Sequence, residues 1–154
     1  MYKSDRAVIV GLFLCTLSVA LWLEIDYIAI ASEVISIVSI ASAVYFAAYA
    51  GIQSNEKFAE KLKRVVDPKN GKSELYTINA YLKTALGVGI VSIICSIVMI
   101  LLREQVSWYD MFQKNFRAHI YHVLSACSLG LFAINIPLMI RIVQFIVVRI
   151  AYGE

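Results

Sequence analysis

Residues 27–53 read YIAIASEVISIVSIASAVYFAAYAGIQ, and residues 80–102 read AYLKTALGVGIVSIICSIVMILL. The first stretch carries one charge, Glu33, and the second carries only Lys83, near its start. A hydrocarbon core about 30 Å thick takes roughly 20 apolar residues of helix, so each stretch is long enough to cross a bilayer. Between them, residues 54–79 hold Lys57, Lys61, Lys63, Arg64, Lys69 and Lys72, six of the chain's 14 Lys and Arg. The segment breaks at Asp67-Pro68-Lys69-Asn70-Gly71, because proline cannot continue a helix and Asn-Gly turns readily. The pattern predicts two membrane helices joined by a basic helical hairpin.

Two further apolar runs, 7–23 and 119–140, flank this unit. With 154 residues, 60% of them hydrophobic, and a mean hydropathy of +0.75, the chain reads as one all-α integral membrane domain, 1–154, with four transmembrane helices. The first run follows Lys3 and Arg6 like a signal peptide, but it lacks a small-x-small cleavage site and reads as a retained helix. Lys and Arg divide eleven to three between the two sides of such a bundle. Their excess puts both termini and the hairpin 54–79 of this multi-pass protein in the cytoplasm. The net charge of +3 is accounted for by this loop placement and does not call for nucleic acid.

The short Glu24-Ile25-Asp26 connection predicts that spans one and two are antiparallel neighbours. Phe58, Leu62 and Val65 recur at helical spacing, so residues 27–66 read as one helix. At ~1.5 Å per residue it would be about 60 Å long, roughly twice the hydrocarbon thickness. Leu75, Ile78, Leu82 and Ala85 repeat the pattern on the return leg, with Ser73 placed to cap it. In the third connection, 103–118, Trp108, Phe112 and Phe116 recur every four residues, which suits a helix in the outer interface. Pro137 should kink the fourth span and free a carbonyl that Asn135 or a neighbouring helix satisfies. Residues 141–154 fit either the end of a tilted span or a separate interfacial helix.

Within lipid, helices associate through close packing of small residues. Span two offers Ser32, Ser36, Ser39, Ala43 and Ala47; span three offers Gly89, Ser92 and Ser96; span four offers Gly130. These lines predict tight packing and a homo-oligomer, with a tetramer as the working number. Cys15, Cys95 and Cys127 are isolated within apolar spans and read as packing residues.

Few residues carry chemistry. Glu33 is the only carboxylate well inside an apolar stretch; it anchors or pairs at the interface, or it serves permeation or sensing. His119 and His122 share a helix face, which suits interfacial hydrogen bonding or pH sensing, and with no completing Cys pair or carboxylate no metal is expected. No phosphate-cradling loop, nucleophile elbow or metalloprotease helix is present, so neither an enzyme nor a cofactor is expected. The basic residues of 54–79 suit anionic lipids or an acidic-surfaced cytoplasmic protein.

The small-residue second span (32–50), the basic hairpin (55–74) and the Gly/Ser third span (87–96) give a layout that resembles small four-span proteins of bacterial anti-phage defence. It is similar to the membrane subunit of Kiwa-type systems and, more distantly, to RexB-type phage-exclusion proteins. The first resemblance implies an oligomeric membrane scaffold or sensor that holds a DNA-binding cytoplasmic partner, without itself touching nucleic acid. The second implies a pore-forming effector that depolarises the inner membrane. A small transporter subunit is a further reading of the same layout.

Overall fold

The computed structural model describes the backbone of residues 2–67, 71–105 and 114–151. Five α-helices follow one another: α1 (Lys3–Trp22), α2 (Ala31–Ser54), α3 (Glu56–Arg64), α4 (Glu74–Gln105) and α5 (Lys114–Ala151), with a 3-10 turn over Tyr27–Ile30 before α2. Four segments are long and apolar enough to cross a membrane: Ser4–Trp22, Tyr27–Ser54, Glu74–Leu101 and Ile120–Ile146. The chain is thus an all-α, multi-pass membrane protein with four candidate spans.

The helices do not pack in the order of the chain. α4 packs on both α2 and α5, and α2 touches α5 more lightly. α1 packs on α5, and among the described residues it makes no backbone approach to α2. The expectation that spans one and two are neighbours is therefore corrected. Their link instead passes over α5: Ser125 of α5 accepts a hydrogen bond from Tyr27 N (2.9 Å) and donates one to Ile25 O (2.8 Å). Glu24, in the left-handed region at φ 49°, makes the turn that allows this crossing.

Residues 27–66 do not form one helix. The backbone leaves helical geometry at Asn55 (φ −100°, ψ 89°), where its side chain accepts from Phe58 N at 3.1 Å and starts α3 anew. Asparagine favours such capping because its amide oxygen competes for backbone donors. α3 then lies against α4, with Leu62 buried and Phe58 half-buried, whereas Val65 is exposed. Ser73 caps α4 as expected, accepting from Tyr76 N at 3.3 Å. Gly71, at φ 65°, supplies the left-handed residue that the return requires.

α5 runs without interruption through Pro137 to Ala151, so the residues after 140 continue the span and form no separate helix. Asn135 does bind a backbone carbonyl, but it is that of Leu131, at 2.9 Å. The expected interfacial helix over 103–118 falls largely outside the described residues; its last residues, from Lys114, already belong to α5.

Two apolar clusters fill the interior. One gathers Tyr45, Ile52, Leu62, Ile78, Leu82 and Leu138. The other gathers Tyr27, Ala31, Val34, Val38 and Met99. Gly130 lets α1 close on α5, since a Cβ there would stand 2.8 Å from the Phe13 ring.

Candidate functional site

Lys57, Lys61, Lys63 and Arg64 all lie exposed on α3, whose apolar side is turned inward through Leu62. Arg64 pairs with Glu60 at 3.6 Å, a surface pair worth little. Lys72 lies beyond this helix, its ammonium 4.2 Å from the Tyr76 ring centre. Lys69 and the side chain of His119 fall outside the described residues. Beside α3, Ile52, Phe58, Ile78 and Phe145 line a cavity of about 180 Å³, too apolar to offer chemistry.

Glu33 sits in the first turn of α2, exposed and accepting a hydrogen bond from Ser32 Oγ at 2.9 Å. A carboxylate is favoured there by the helix dipole. His122 is half-buried, its ring edge-on to Tyr121, and its buried Nδ1 has no hydrogen-bond partner among the described residues. No group of three metal-ligating side chains occurs among the described residues.

The small-residue lines separate. Gly89, Ser92 and Ser96 on α4 and Gly130 on α5 are buried. Ser32, Ser36, Ser39, Ala43 and Ala47 on α2 are all exposed; within the chain α2 turns Ala31, Val34, Val38 and Tyr45 inward instead. Cys15 likewise faces outward.

The inner face of α4 organises polar groups that the sequence did not single out. Near its start, Tyr81 donates to the carboxylate of Asp5, and Arg141 Nη2 reaches the other oxygen of that carboxylate at 3.1 Å. Asp5 is almost fully buried, and a buried carboxylate is tolerable when partners on both sides satisfy it. Alongside, Tyr2 donates to Asp67, its amide N donates to Tyr81 Oη at 3.2 Å, and Thr77 Oγ1 lies 3.5 Å from the same Asp67 carboxylate. Burial, reinforced by the bond to Asp67, pushes the Tyr2 phenol up to about 12. One knot thus ties α1, α4, α5 and the link after α3.

A second set of bonds closes the other end. Asp26 accepts from Ile28 N (3.1 Å) and from the Tyr121 hydroxyl (2.6 Å). Tyr27, wholly buried, places its hydroxyl 2.5 Å from Ser96 Oγ. Ser96 spends its single proton on Ser92 O at 2.8 Å, so Tyr27 must be the donor of that pair. The signal available in the sequence was the phase of Thr77, Tyr81, Gly89, Ser92 and Ser96, which share one helical face. What the sequence did not show was which residues would meet them.

No family model matches the chain, and no curated protein or solved structure resembles it at a significant level.

Proposed function

We propose that the protein is an oligomeric membrane scaffold or sensor that recruits an acidic-surfaced cytoplasmic protein through the basic side of α3. The observation that carries this reading is the seating of α3: Leu62 anchors it to the bundle while Lys57, Lys61, Lys63 and Arg64 stay outward on one short helix. A fixed helix presents these charges at a lower ordering cost than a loose loop would. The excess of Lys and Arg around this end of the bundle supports a cytoplasmic placement. The exposed Ser32–Ala47 line of α2 supports self-association, because small residues let a second copy approach closely. The resemblance of the layout to Kiwa-type membrane subunits supports a setting in anti-phage defence.

A photo-crosslinking residue at position 61, in cells, tests the reading. Adducts to a soluble protein that vanish when Lys57, Lys63 and Arg64 become Glu, with insertion and oligomer size unchanged, are the expected result. Adducts to lipid alone would leave only headgroup binding.

The alternative, a pore-forming effector, draws on the outward position of Glu33. A conducting path that used it would run between copies, since Leu82, Ala85 and Leu138 fill the interior of a single chain. Glu33→Gln should then change conductance or toxicity, and should change neither under the scaffold reading.

A further inference from the structure

We propose that the half-open cavity beside α3 seats an acyl chain of an anionic phospholipid, whose phosphate lies against Lys57 and Lys61.

The cavity holds about 180 Å³. Ala48, Gly51 and Ile52 of α2 form one wall, and Ile78 of α4, Phe145 of α5 and Phe58 of α3 form the others. Ile52 and Ile78 are buried, whereas Ala48, Phe58 and Phe145 are half-buried and Gly51 is exposed. The space is therefore open along its rim.

Its level in the molecule follows from the elements that meet there. Ile52 stands near the end of the candidate span Tyr27–Ser54, Ile78 near the start of Glu74–Leu101 and Phe145 near the end of Ile120–Ile146. Three apolar segments thus stop together at the cavity, which marks the boundary between hydrocarbon and water. α3, crowded with Glu56, Lys57, Glu60, Lys61, Lys63 and Arg64, belongs to the water side of that boundary.

The lining selects an apolar occupant. No lining residue has a polar side chain, so a water would find no side-chain partner there. An apolar cavity of roughly 150 Å³ takes up a molecule the size of benzene, so this one has room for about six carbons of a chain. The acidic surface of a soluble protein would meet the lysines and leave the cavity unfilled.

The phase of α3 selects the headgroup. Lys57 and Lys61 precede Phe58 by one residue and follow it by three, which places both on one flank of the helix, beside the cavity. Glu56 and Glu60, two residues to either side of Phe58, fall on the opposite face. The charge nearest the rim is therefore positive and complements an anionic headgroup better than a zwitterionic one. A lysine stem can lie along the apolar rim while its ammonium reaches the phosphate.

Native mass spectrometry of the full chain in detergent, with phosphatidylglycerol and phosphatidylcholine of the same acyl chains supplied in equal amounts, tests this. Retention of phosphatidylglycerol should exceed that of phosphatidylcholine by about fivefold or more. Gly51→Leu grows into open space, since a Cβ there meets no atom within 4 Å. By filling the cavity it should cut retention of phosphatidylglycerol about tenfold. Should that variant fail to insert, Ala48→Leu on the same wall replaces it with the same expected loss. Lys57→Gln with Lys61→Gln should bring phosphatidylglycerol down to the level of phosphatidylcholine, and glycerophosphoglycerol, the headgroup without chains, should displace nothing. Because Gly51→Leu keeps every charge of α3, its outcome is independent of whether α3 also recruits a protein. Equal retention of the two lipids, displacement by the chainless headgroup, or undiminished retention in the Gly51 and Ala48 variants would overturn the proposal. So would a disulfide between copies of Ile146→Cys in a chain with Cys15 changed to Ala, because a second chain would then sit at the rim.

Discussion

On α2, Ser32, Ser36, Ser39, Ala43 and Ala47 recur every three or four residues and all face outward. On α4, Gly89, Ser92 and Ser96 recur with the same spacing and are buried. Small residues allow backbones to approach, but they do not decide which backbones do. α4 is chosen because partners with reach and polarity converge on its face: Asp5 at Tyr81, Ser42 and Asn135 around Gly89, and Tyr27 at Ser96. On α2, the outward serines bond locally, as Ser36 does to Ser32 O at 3.0 Å, and ask nothing of another helix in the chain.

A matched pair of bulky substitutions gives the sharpest contrast. Gly89→Leu should destabilise the fold by about 3 kcal/mol through overpacking against Ser42 and Val38. Ser39→Leu should stay within about 0.5 kcal/mol, being exposed. Reversible unfolding in bicelles measures both, and equal costs would break the comparison. Under the proposed self-association, Ser39→Leu should still reduce the crosslinked oligomer.

Tyr81→Phe tests whether polar partners, beyond space, hold α4 in place. It leaves buried Asp5 with Arg141 and a long bond from Ser4 Oγ (3.5 Å) and should cost about 2 kcal/mol. Accessibility of Asp5 to carboxyl-modifying reagent should rise with it. Gly130→Ala tests space alone on α5, where the Phe13 ring stands 2.8 Å from the added methyl. A loss of about 1 kcal/mol, seen as faster proteolysis of α1, is expected.

The smallest effect concerns alkali. The Tyr2 phenol is held protonated in the fold, pushed from 10.0 to about 12. Its contribution is complete below pH 10 and fades as pH rises through 12. The stability difference between the unaltered protein and Tyr2→Phe should be flat from pH 7 to 9 and shrink above 10. A difference that grew with pH would show that the Tyr2–Asp67 bond is not what ties the N-terminus down.

Composition and apolar run length determined that four helices are long and apolar enough to cross a membrane, since hydropathy is a local property that each segment carries with it. The cap at Ser73 was equally legible, as was the inward turn of Leu62, Ile78 and Leu82. The sequence missed the break at Asn55, because a helical pattern continues on both sides of it and only the capping bond interrupts the backbone. It missed Asp5 because a carboxylate at the head of a span looks solvated until Tyr81 and Arg141 are brought beside it. Gly89 and Ser92 stood in a visible line on α4, but nothing local said that Ser42 and Asn135 would meet Gly89. Which helix lies against which was left to the tertiary structure: one apolar surface resembles another, and only the fit of particular side chains across helices separates the arrangements.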